Sequence, residues 1–141
     1  MAITKNTKII HPVTSLYEFG AIPEIIKPEK KLHIESGNIY LKYGEHTAKN
    51  RGFGVNHIWI EHSEELIKLG YLTIDDVPRY VSEIIVAGAS IHVADYRRPT
   101  VLKSAKGLVI LELKHVGNSC EYSVVTAYPK KYADGSIVGN I

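Results

Sequence analysis

The sequence contains very little cysteine, methionine, tryptophan and phenylalanine. Of its 141 residues, one is Cys, one is Met, one is Trp and two are Phe. The single thiol, Cys120, excludes an internal disulfide and is typical of a chain that folds or acts in a reducing compartment. Its simplest interpretation is a small core residue in a strand. The domain must therefore be stabilised by its apolar core and not by covalent cross-links.

Long hydrophobic runs and a strong excess of one charge are also missing. No stretch approaches the roughly 18 apolar residues of a membrane-spanning helix, and the first residues lack the apolar segment of a signal peptide. Lys and Arg total 17 against 15 Asp and Glu, which gives a formal net charge of +2. This balance excludes a highly basic protein that coats nucleic acid. We expect a soluble domain without a membrane-spanning segment.

The chain length and its 45% hydrophobic content are enough for one continuous core. Prolines at positions 12, 23 and 28 interrupt the first third of the chain, which predicts mostly irregular structure there. Within it, the residue pattern predicts a short helix over 14–19 and a strand over 38–43. We treat residues 1–50 as an N-terminal extension of the same domain and residues 51–141 as its core.

From Gly54 onwards the periodicity is clearer. Hydrophobic residues at helical spacing predict a helix over 55–69 that ends at Gly70. Asp75 and Asp76 are typical of a helix cap and open a second helix that runs to about Gly88. The period then changes to two, which predicts strands over 91–96, 100–104, 107–116 and 120–128. Helices followed by an uninterrupted series of strands predict an α+β domain with N-terminal helices packed on an antiparallel sheet.

His57 and His62 are the first candidates for chemistry, because imidazole has an ordinary pKa that suits proton transfer near neutral pH. Five residues apart on a helix, they diverge by about 140° and are separated by about 7.5 Å along the axis. Their spacing differs from that of the zinc-binding His-Glu-x-x-His motif, and we expect neither a metal nor a cofactor. We place His57 on the polar side, near the helix N-terminus that attracts anions. His62 falls in the apolar arc, where a half-buried structural histidine is an equal alternative.

The last predicted strand supplies two hydroxyl groups. Alternation places Thr126 and Tyr128 on one face together with Tyr122 and Val124. The Thr126 and Tyr128 hydroxyls could donate hydrogen bonds to a phosphate, and the Tyr128 ring could stack on a base. High β-propensity alone would also explain both residues.

Basic side chains near the strands could bind phosphate. Arg97 and Arg98 carry planar guanidinium groups that can contact two phosphate oxygens at once, which suits stabilisation of a charged transition state. Lys103 and Lys106 are further candidates for phosphate binding, and Lys130 and Lys131 are basic residues after the last strand. Any of these side chains could instead be a solvated surface charge, which is the favoured interpretation for the lysines.

Three short segments together resemble phage-associated and polymorphic-toxin members of the barnase-EndoU-colicin-RelE group of ribonucleases. The stretch Gly52–His62 is similar to the glycine-rich, two-histidine start of a helix in those proteins. The stretch Tyr122–Pro129 is similar to their closing strand, which carries a Thr and a Tyr in the same relation. Tyr96–Pro99 lies where they often carry a basic residue before a strand. The resemblance covers about residues 50–131.

This resemblance implies a helix pair packed on an antiparallel sheet and a metal-independent cleavage of RNA. In that reaction the 2′-hydroxyl attacks the adjacent phosphate and leaves a 2′,3′-cyclic phosphate and a 5′-hydroxyl. The residues that the resemblance assigns to catalysis are His57 as general base or acid, His62 as its partner, Arg98 as the phosphate clamp with Arg97 as its alternative, and Thr126 and Tyr128 as orienting groups.

The same resemblance implies a biological setting. Many such domains are toxins that are delivered into the cytoplasm of a target cell, cleave transfer RNA and are neutralised by a cognate immunity protein. Two alternatives stay open. The chain could be a non-catalytic phage or secretion-associated binding module on the same scaffold, in which His57 and Arg98 are incidental. It could also be an enzyme that acts on a different phosphate or nucleotide substrate.

Overall fold

The computed structural model describes residues 2–93 and 100–141. Short 3-10 turns lie at Pro28–Lys30 and Ile74–Asp76. In chain order the strands and α-helices are β1 (Glu18–Ile22), β2 (Ile25–Lys27), β3 (Leu32–Ile34), β4 (Gly37–Tyr40), β5 (Glu45–Ala48), β6 (Arg51–Phe53), α1 (Gly54–Lys68), α2 (Val77–Ile84), β7 (Ser90–Val93), β8 (Thr100–Ser104), β9 (Gly107–Val116), β10 (Ser119–Tyr128) and β11 (Ser136–Asn140).

Seven of the strands form one mixed sheet in the order β1-β4-β10-β9-β8-β7-β11. β4 runs parallel to β10, and the other neighbouring pairs of this sheet are antiparallel. Strands β2 and β3 form a separate hairpin, and so do β5 and β6. The β5–β6 hairpin leads directly into α1, so its residues lie beside the first turn of that helix.

The predicted α+β architecture of helices packed on an antiparallel sheet is wrong. The described residues form a mainly β structure, a curled mixed sheet with only two short helices. The difference arises in the first third of the chain, which contains six short strands, of which only β4 overlaps a predicted strand. The predicted helix over 14–19 is wrong because β1 begins at Glu18, whereas the predicted strand over 38–43 overlaps β4. Strands of three to five residues are too short to show a period, and β4 finds its parallel partner far along the chain.

The later elements agree better with the sequence pattern. The helix predicted over 55–69 is α1, and Gly70 follows it with a φ of 98°, as expected for a C-terminal glycine. Asp76 caps the second helical segment by accepting hydrogen bonds from the backbone N–H groups of Leu72 and Thr73. Strands β8 and β9 have the predicted bounds, while β11 was not predicted.

Both helices pack on the sheet to form one core. α1 packs mainly against β10, and α2 contacts β8 and β9. Neither of the α-helices in the described ranges is long and apolar enough to cross a membrane. The largest fully buried side chains come from both helices and from six strands; among them are Tyr80, Tyr122, Ile22, Ile39, Ile58, Leu66, Ile84, Ile91, Leu102 and Leu111.

Candidate functional site

A cleft of about 570 Å³ lies between α1 and the ends of β8, β9 and β10, and we call it the histidine cleft. Apolar side chains of the sheet form its floor, and polar side chains from α1, β10 and the loop after β10 form its walls. Four of the sequence-predicted site residues line this one cleft. The lining residues are Asn50, His57, Glu61, His62, Val101, Leu108, Ile110, Val125, Thr126, Tyr128, Lys130 and Asp134.

His57 lies on the first turn of α1 and is 4% exposed. Its Nδ1 atom is 3.0 Å from Nδ1 of His46 in β5, and the two rings are stacked at a centroid distance of 5.2 Å. Two N–H groups cannot point at each other at this distance, so the two facing Nδ1 atoms hold a single proton between them. The prediction that His57 lies on an exposed polar side of the helix is wrong, because the β5–β6 hairpin covers it.

The glycines before α1 explain how His57 comes so close to the hairpin. Gly52 pairs with His46 across the hairpin, at a φ of 149°. A Cβ atom on Gly52 would meet the carbonyl oxygen of Glu45 and would lie 2.7 Å from Nδ1 of His57. Gly54, at a φ of 78°, begins the helix in a conformation that L side chains rarely adopt. The absence of side chains at Gly52 and Gly54 therefore allows His57 to lie against His46.

The N-terminus of α1 is not a free anion site. The backbone N–H of Val55 donates to the carbonyl of Lys42, and that of Asn56 donates to the carbonyl of Tyr43. The Asn56 side-chain amide also donates to the carbonyl of Gly44. These carbonyls satisfy donors that would otherwise be open at a helix start. The expected attraction of anions to His57 by the helix end therefore has no support from these contacts.

Glu61 lies one turn after His57 and accepts a hydrogen bond of 2.5 Å from the backbone N–H of Asn50. That hydrogen bond lowers the pKa of the Glu61 carboxyl, which keeps the group ionised. One ligand atom each from His46, His57 and Glu61 lie within 4.8 Å of one another, so this trio could also hold a metal ion. The sequence spacing did not predict the trio, because His46 comes from a different element.

Burial lowers the pKa of His57 below its ordinary value of 6.5. The charge of Glu61 raises the His57 pKa, and the positive forms of His46 and His62 lower it by smaller amounts. Because burial is the largest cause, His57 is neutral at neutral pH. A neutral imidazole in a cleft can accept a proton, which is the property that a general base requires.

His62 lies in the middle of α1, also lines the histidine cleft, and packs against Tyr128 of β10. Its ring is stacked on that of Tyr128, with centroids 4.6 Å apart and planes 23° apart. Its Nδ1 atom is 2.8 Å from a carboxylate oxygen of Glu65. The side chain is 21% exposed, so it is half-buried as the apolar arc predicts. The stacking and the carboxylate hold the ring in one orientation and leave Nε2 as the ring nitrogen for a ligand.

A β-bulge in β10 turns Thr126 and Tyr128 towards the cleft. Val124 pairs with Leu111, but Thr126 pairs with the adjacent Ile110, so Val125 is an extra residue in the strand. The predicted common face of Tyr122, Val124, Thr126 and Tyr128 is therefore wrong in part. Thr126 and Tyr128 do share a face, while Tyr122 and Val124 point into the core on the other side.

Thr126 is 9% exposed, and no described residue offers its Oγ1 atom a hydrogen-bond partner. A buried hydroxyl without a partner costs about 1–3 kcal/mol of stability. The Oγ1 atom itself is enclosed, so a ligand oxygen in the histidine cleft would reach it only after a rearrangement of the neighbouring side chains.

The cation that lines the cleft is a lysine after the last strand and not one of the residues assigned to phosphate binding. Lys130 lines the histidine cleft and is 3.5 Å from a carboxylate oxygen of Asp134. Lys103 and Lys106 do not line it. The Lys103 ammonium donates to the carbonyl of Ser104, and Nζ of Lys106 lies 3.9 Å from Oε2 of Glu83. Arg97 and Arg98, the predicted phosphate clamp, lie outside the described residues.

Sequence patterns missed Glu61 as a lining residue of the cleft and His46 as the neighbour of His57. Glu61 belongs to the two-histidine segment but carried no assigned role, and His46 had no local pattern that could reveal it. Comparison with known family models, with curated proteins and with solved structures found no match for this chain. The side chains of the histidine cleft are therefore the basis on which its function can be inferred.

Proposed function

We propose that this chain is a metal-independent endoribonuclease that cleaves RNA by transesterification in the histidine cleft. The observation that carries the proposal is the convergence of two histidines and two hydroxyl groups from separate elements on one cleft. His57 and His62 come from α1, and Thr126 and Tyr128 come from the bulged end of β10. Cleavage through the 2′-hydroxyl needs a base, an acid and donors at the phosphate, and these side chains supply such a set.

In the proposed first step, neutral His57 accepts the proton of the 2′-hydroxyl as its oxygen attacks phosphorus. Burial keeps His57 unprotonated at neutral pH, and the facing Nδ1 atom of His46 leaves Nε2 as the nitrogen that takes the proton. Glu61 is a positioning residue here, because its negative charge favours the imidazolium that forms.

In the second half of the step, His62 donates a proton to the departing 5′-oxygen, so a 5′-hydroxyl and a 2′,3′-cyclic phosphate result. Glu65 holds the Nδ1 side of the His62 ring, which leaves the Nε2 proton for transfer. The hydroxyls of Thr126 and Tyr128 and the ammonium of Lys130 would donate to the phosphate oxygens as negative charge develops on them. Tyr128 and His62 present a stacked aromatic pair on which a base can also pack.

The biological setting is proposed from the sequence resemblance alone. We propose transfer RNA as the substrate, an immunity protein as the partner and the cytoplasm of a target cell as the place of action. The mixed sheet differs from the antiparallel sheet that the resemblance implied, so the fold lends this part no support. The cleft chemistry does not depend on these three points.

The reaction is tested by incubating the purified chain with transfer RNA in excess chelator. We expect discrete fragments whose 3′ ends carry a 2′,3′-cyclic phosphate and whose 5′ ends accept a labelled phosphate from a kinase. RNA with a 2′-deoxy substitution at the cleaved nucleotide is expected to stay intact, because the attacking oxygen is missing.

Three outcomes would contradict the proposal. Cleavage that disappears with chelator and returns with a divalent cation would assign a metal to the trio of His46, His57 and Glu61. Fragments with 5′-phosphates would indicate attack by water. RNA that stays intact would favour the non-catalytic binding module, for which the small formal net charge of +2 is an argument.

The pH dependence of kcat/KM is expected to move in opposite directions in two variants. The acid limb of the wild-type profile reports protonation of the base and should lie below pH 6.5, since the folded pKa of His57 is lowered. Glu61→Gln removes the charge that raises the His57 pKa, so the acid limb moves to lower pH. His46→Ala removes a group that lowers the His57 pKa and opens the ring to water, so the limb moves to higher pH.

These shifts are measured as initial rates at subsaturating RNA across the pH range. Glu64→Gln is the matched control, because Glu64 is exposed on the same helix and does not line the histidine cleft. Its acid limb should coincide with that of the wild type. If the acid limb moves in the same direction in Glu61→Gln and His46→Ala, His57 is not the base.

A further inference from the structure

A second group of reactive side chains lies at the opposite end of β10 from the histidine cleft. Cys120 and His115 are directly paired across the β9–β10 hairpin, next to its turn. Paired residues of this kind place their Cβ atoms about 5 Å apart on the same face. Thr126 is six positions after Cys120 in β10, which corresponds to about 20 Å along a strand. The two groups are therefore independent sites.

Glu35 brings a carboxylate to this pair from the segment between β3 and β4. The Cys120 thiol donates a hydrogen bond to Oε2 of Glu35, and Sγ of Cys120 lies 3.4 Å from Nδ1 of His115. One ligand atom each from these three residues lie within 4.8 Å of one another. Cys120 and Glu35 also line a cavity of about 740 Å³, so the group is open to solvent.

The backbone holds Glu35 firmly in this position. The Tyr122 hydroxyl donates a hydrogen bond of 2.6 Å to the carbonyl of Glu35, and burial raises the pKa of Tyr122 to about 12, so the hydroxyl stays a donor. Gly37 begins β4 where a Cβ atom would lie 2.7 Å from the carbonyl oxygen of Cys120. The missing side chain allows this close approach, and the parallel pairing of β4 with β10 continues it. Two of the three residues thus lie on paired strands, and Glu35 lies in the two-residue connection between β3 and β4.

The spacing of Cys120 and His115 fits two ligands of a tetrahedral zinc ion, whereas the Glu35 carboxylate, now hydrogen-bonded directly to the Cys120 thiol, would have to move outward to make room for the ion. Zinc bonds of about 2.3 Å to sulfur and about 2.0–2.1 Å to nitrogen, at a tetrahedral angle, separate the two ligand atoms by about 3.6 Å. The observed separation of Sγ of Cys120 and Nδ1 of His115 is 3.4 Å. A thiolate, an imidazole and a carboxylate suit zinc and related transition ions better than calcium or magnesium, which prefer oxygen ligands.

We propose that Cys120, His115 and Glu35 form a binding site for a zinc-type divalent ion, with water or a further ligand in the fourth position. The ion would replace the proton that the Cys120 thiol now shares with Glu35. It would link the β9–β10 hairpin to the segment before β4. The site requires no contribution from the histidine cleft.

Titration of the full-length, reduced chain with Co²⁺ tests the proposal. We expect one ion per chain, a thiolate-to-cobalt charge-transfer band in the near ultraviolet, and loss of that band when Zn²⁺ is added. Cys120→Ser should abolish the band. Cys120→Ser and His115→Ala should each weaken Zn²⁺ binding by at least about 100-fold, because loss of an outer-sphere partner alone costs 10–100-fold. Since His115 is exposed, His115→Ala tests the site even if Cys120→Ser folds poorly.

His46→Ala distinguishes this site from the other possible metal trio. It should leave the cobalt band unchanged, because His46 contacts His57 and belongs to the trio with His57 and Glu61. Absence of a saturable charge-transfer band, or Zn²⁺ binding that survives Cys120→Ser and is lost in His46→Ala, would overturn the proposal. These measurements contain no RNA, so their failure would leave the ribonuclease proposal intact, and failure of the ribonuclease assay would leave this site intact.

Discussion

Replacing His57 by alanine is expected to lower kcat for RNA cleavage by about 10³-fold while KM changes little. General base catalysis contributes about 10²–10⁴-fold to rate, and it acts in the transition state and not on bound substrate. His57 suits this role better than the other cleft residues because it is 4% exposed, has a lowered pKa and faces His46 at 3.0 Å. Steady-state cleavage of a labelled RNA measures the effect.

Loss of a buried histidine could also disturb the fold, so a matched variant is needed. His92 in β7 is 6% exposed and contacts Ser90, and it does not line the histidine cleft. His92→Ala should lower the thermal stability to a similar degree and retain cleavage. Equal losses of kcat in both variants would point to a general disturbance of the fold. Full activity in folded His57→Ala would exclude His57 as the base.

The parts of the fold that the sequence predicted are those whose signal is local. α1, β8 and β9 are long or sharply bounded by glycine and polar turns, so their periodicity is visible in the chain itself. Of the N-terminal strands, only β4 gave a signal in the sequence. β1 and β4 are short, and pairing stabilises them: β4 pairs with β10, and β1 pairs with β4. A pairing between distant segments leaves no period in either segment, which is why the mixed sheet could not be predicted.

The candidate site, like the fold, has parts that the local sequence predicts and parts that depend on distant segments. The segment with His57 and His62 and the strand with Thr126 and Tyr128 were identified from residue types and spacing, and all four line one cleft. Their environments could not be predicted, because each depends on another element. The β5–β6 hairpin buries His57 and supplies His46, and the bulge in β10 changes which residues face the cleft. A single inserted residue reverses the alternation on which a strand prediction depends.

The hairpin and the helix meet most closely at Gly52, where a single methyl group is expected to have a large effect. Gly52→Ala places a Cβ atom against the carbonyl of Glu45, 2.7 Å from Nδ1 of His57 and 3.0 Å from Cα of His46. Two of these three neighbours are backbone atoms that cannot move without breaking the hairpin. Strain at a φ of 149° adds to this cost, and together they should lower the free energy of unfolding by about 3 kcal/mol.

Gly70→Ala separates the two causes of that loss. Gly70 has a φ of 98°, but no described residue has an atom within 4 Å of an added Cβ. Backbone strain alone should therefore lower the free energy of unfolding of Gly70→Ala by about 1–2 kcal/mol, and this variant should cleave RNA normally. Gly52→Ala should lose more stability than Gly70→Ala and should also cleave slowly at temperatures where it is fully folded, because the methyl group displaces His57 from His46. Denaturant unfolding and cleavage rates measured on both variants decide the matter. If folded Gly52→Ala cleaves as fast as Gly70→Ala, the close contact between His57 and His46 is not required for the reaction.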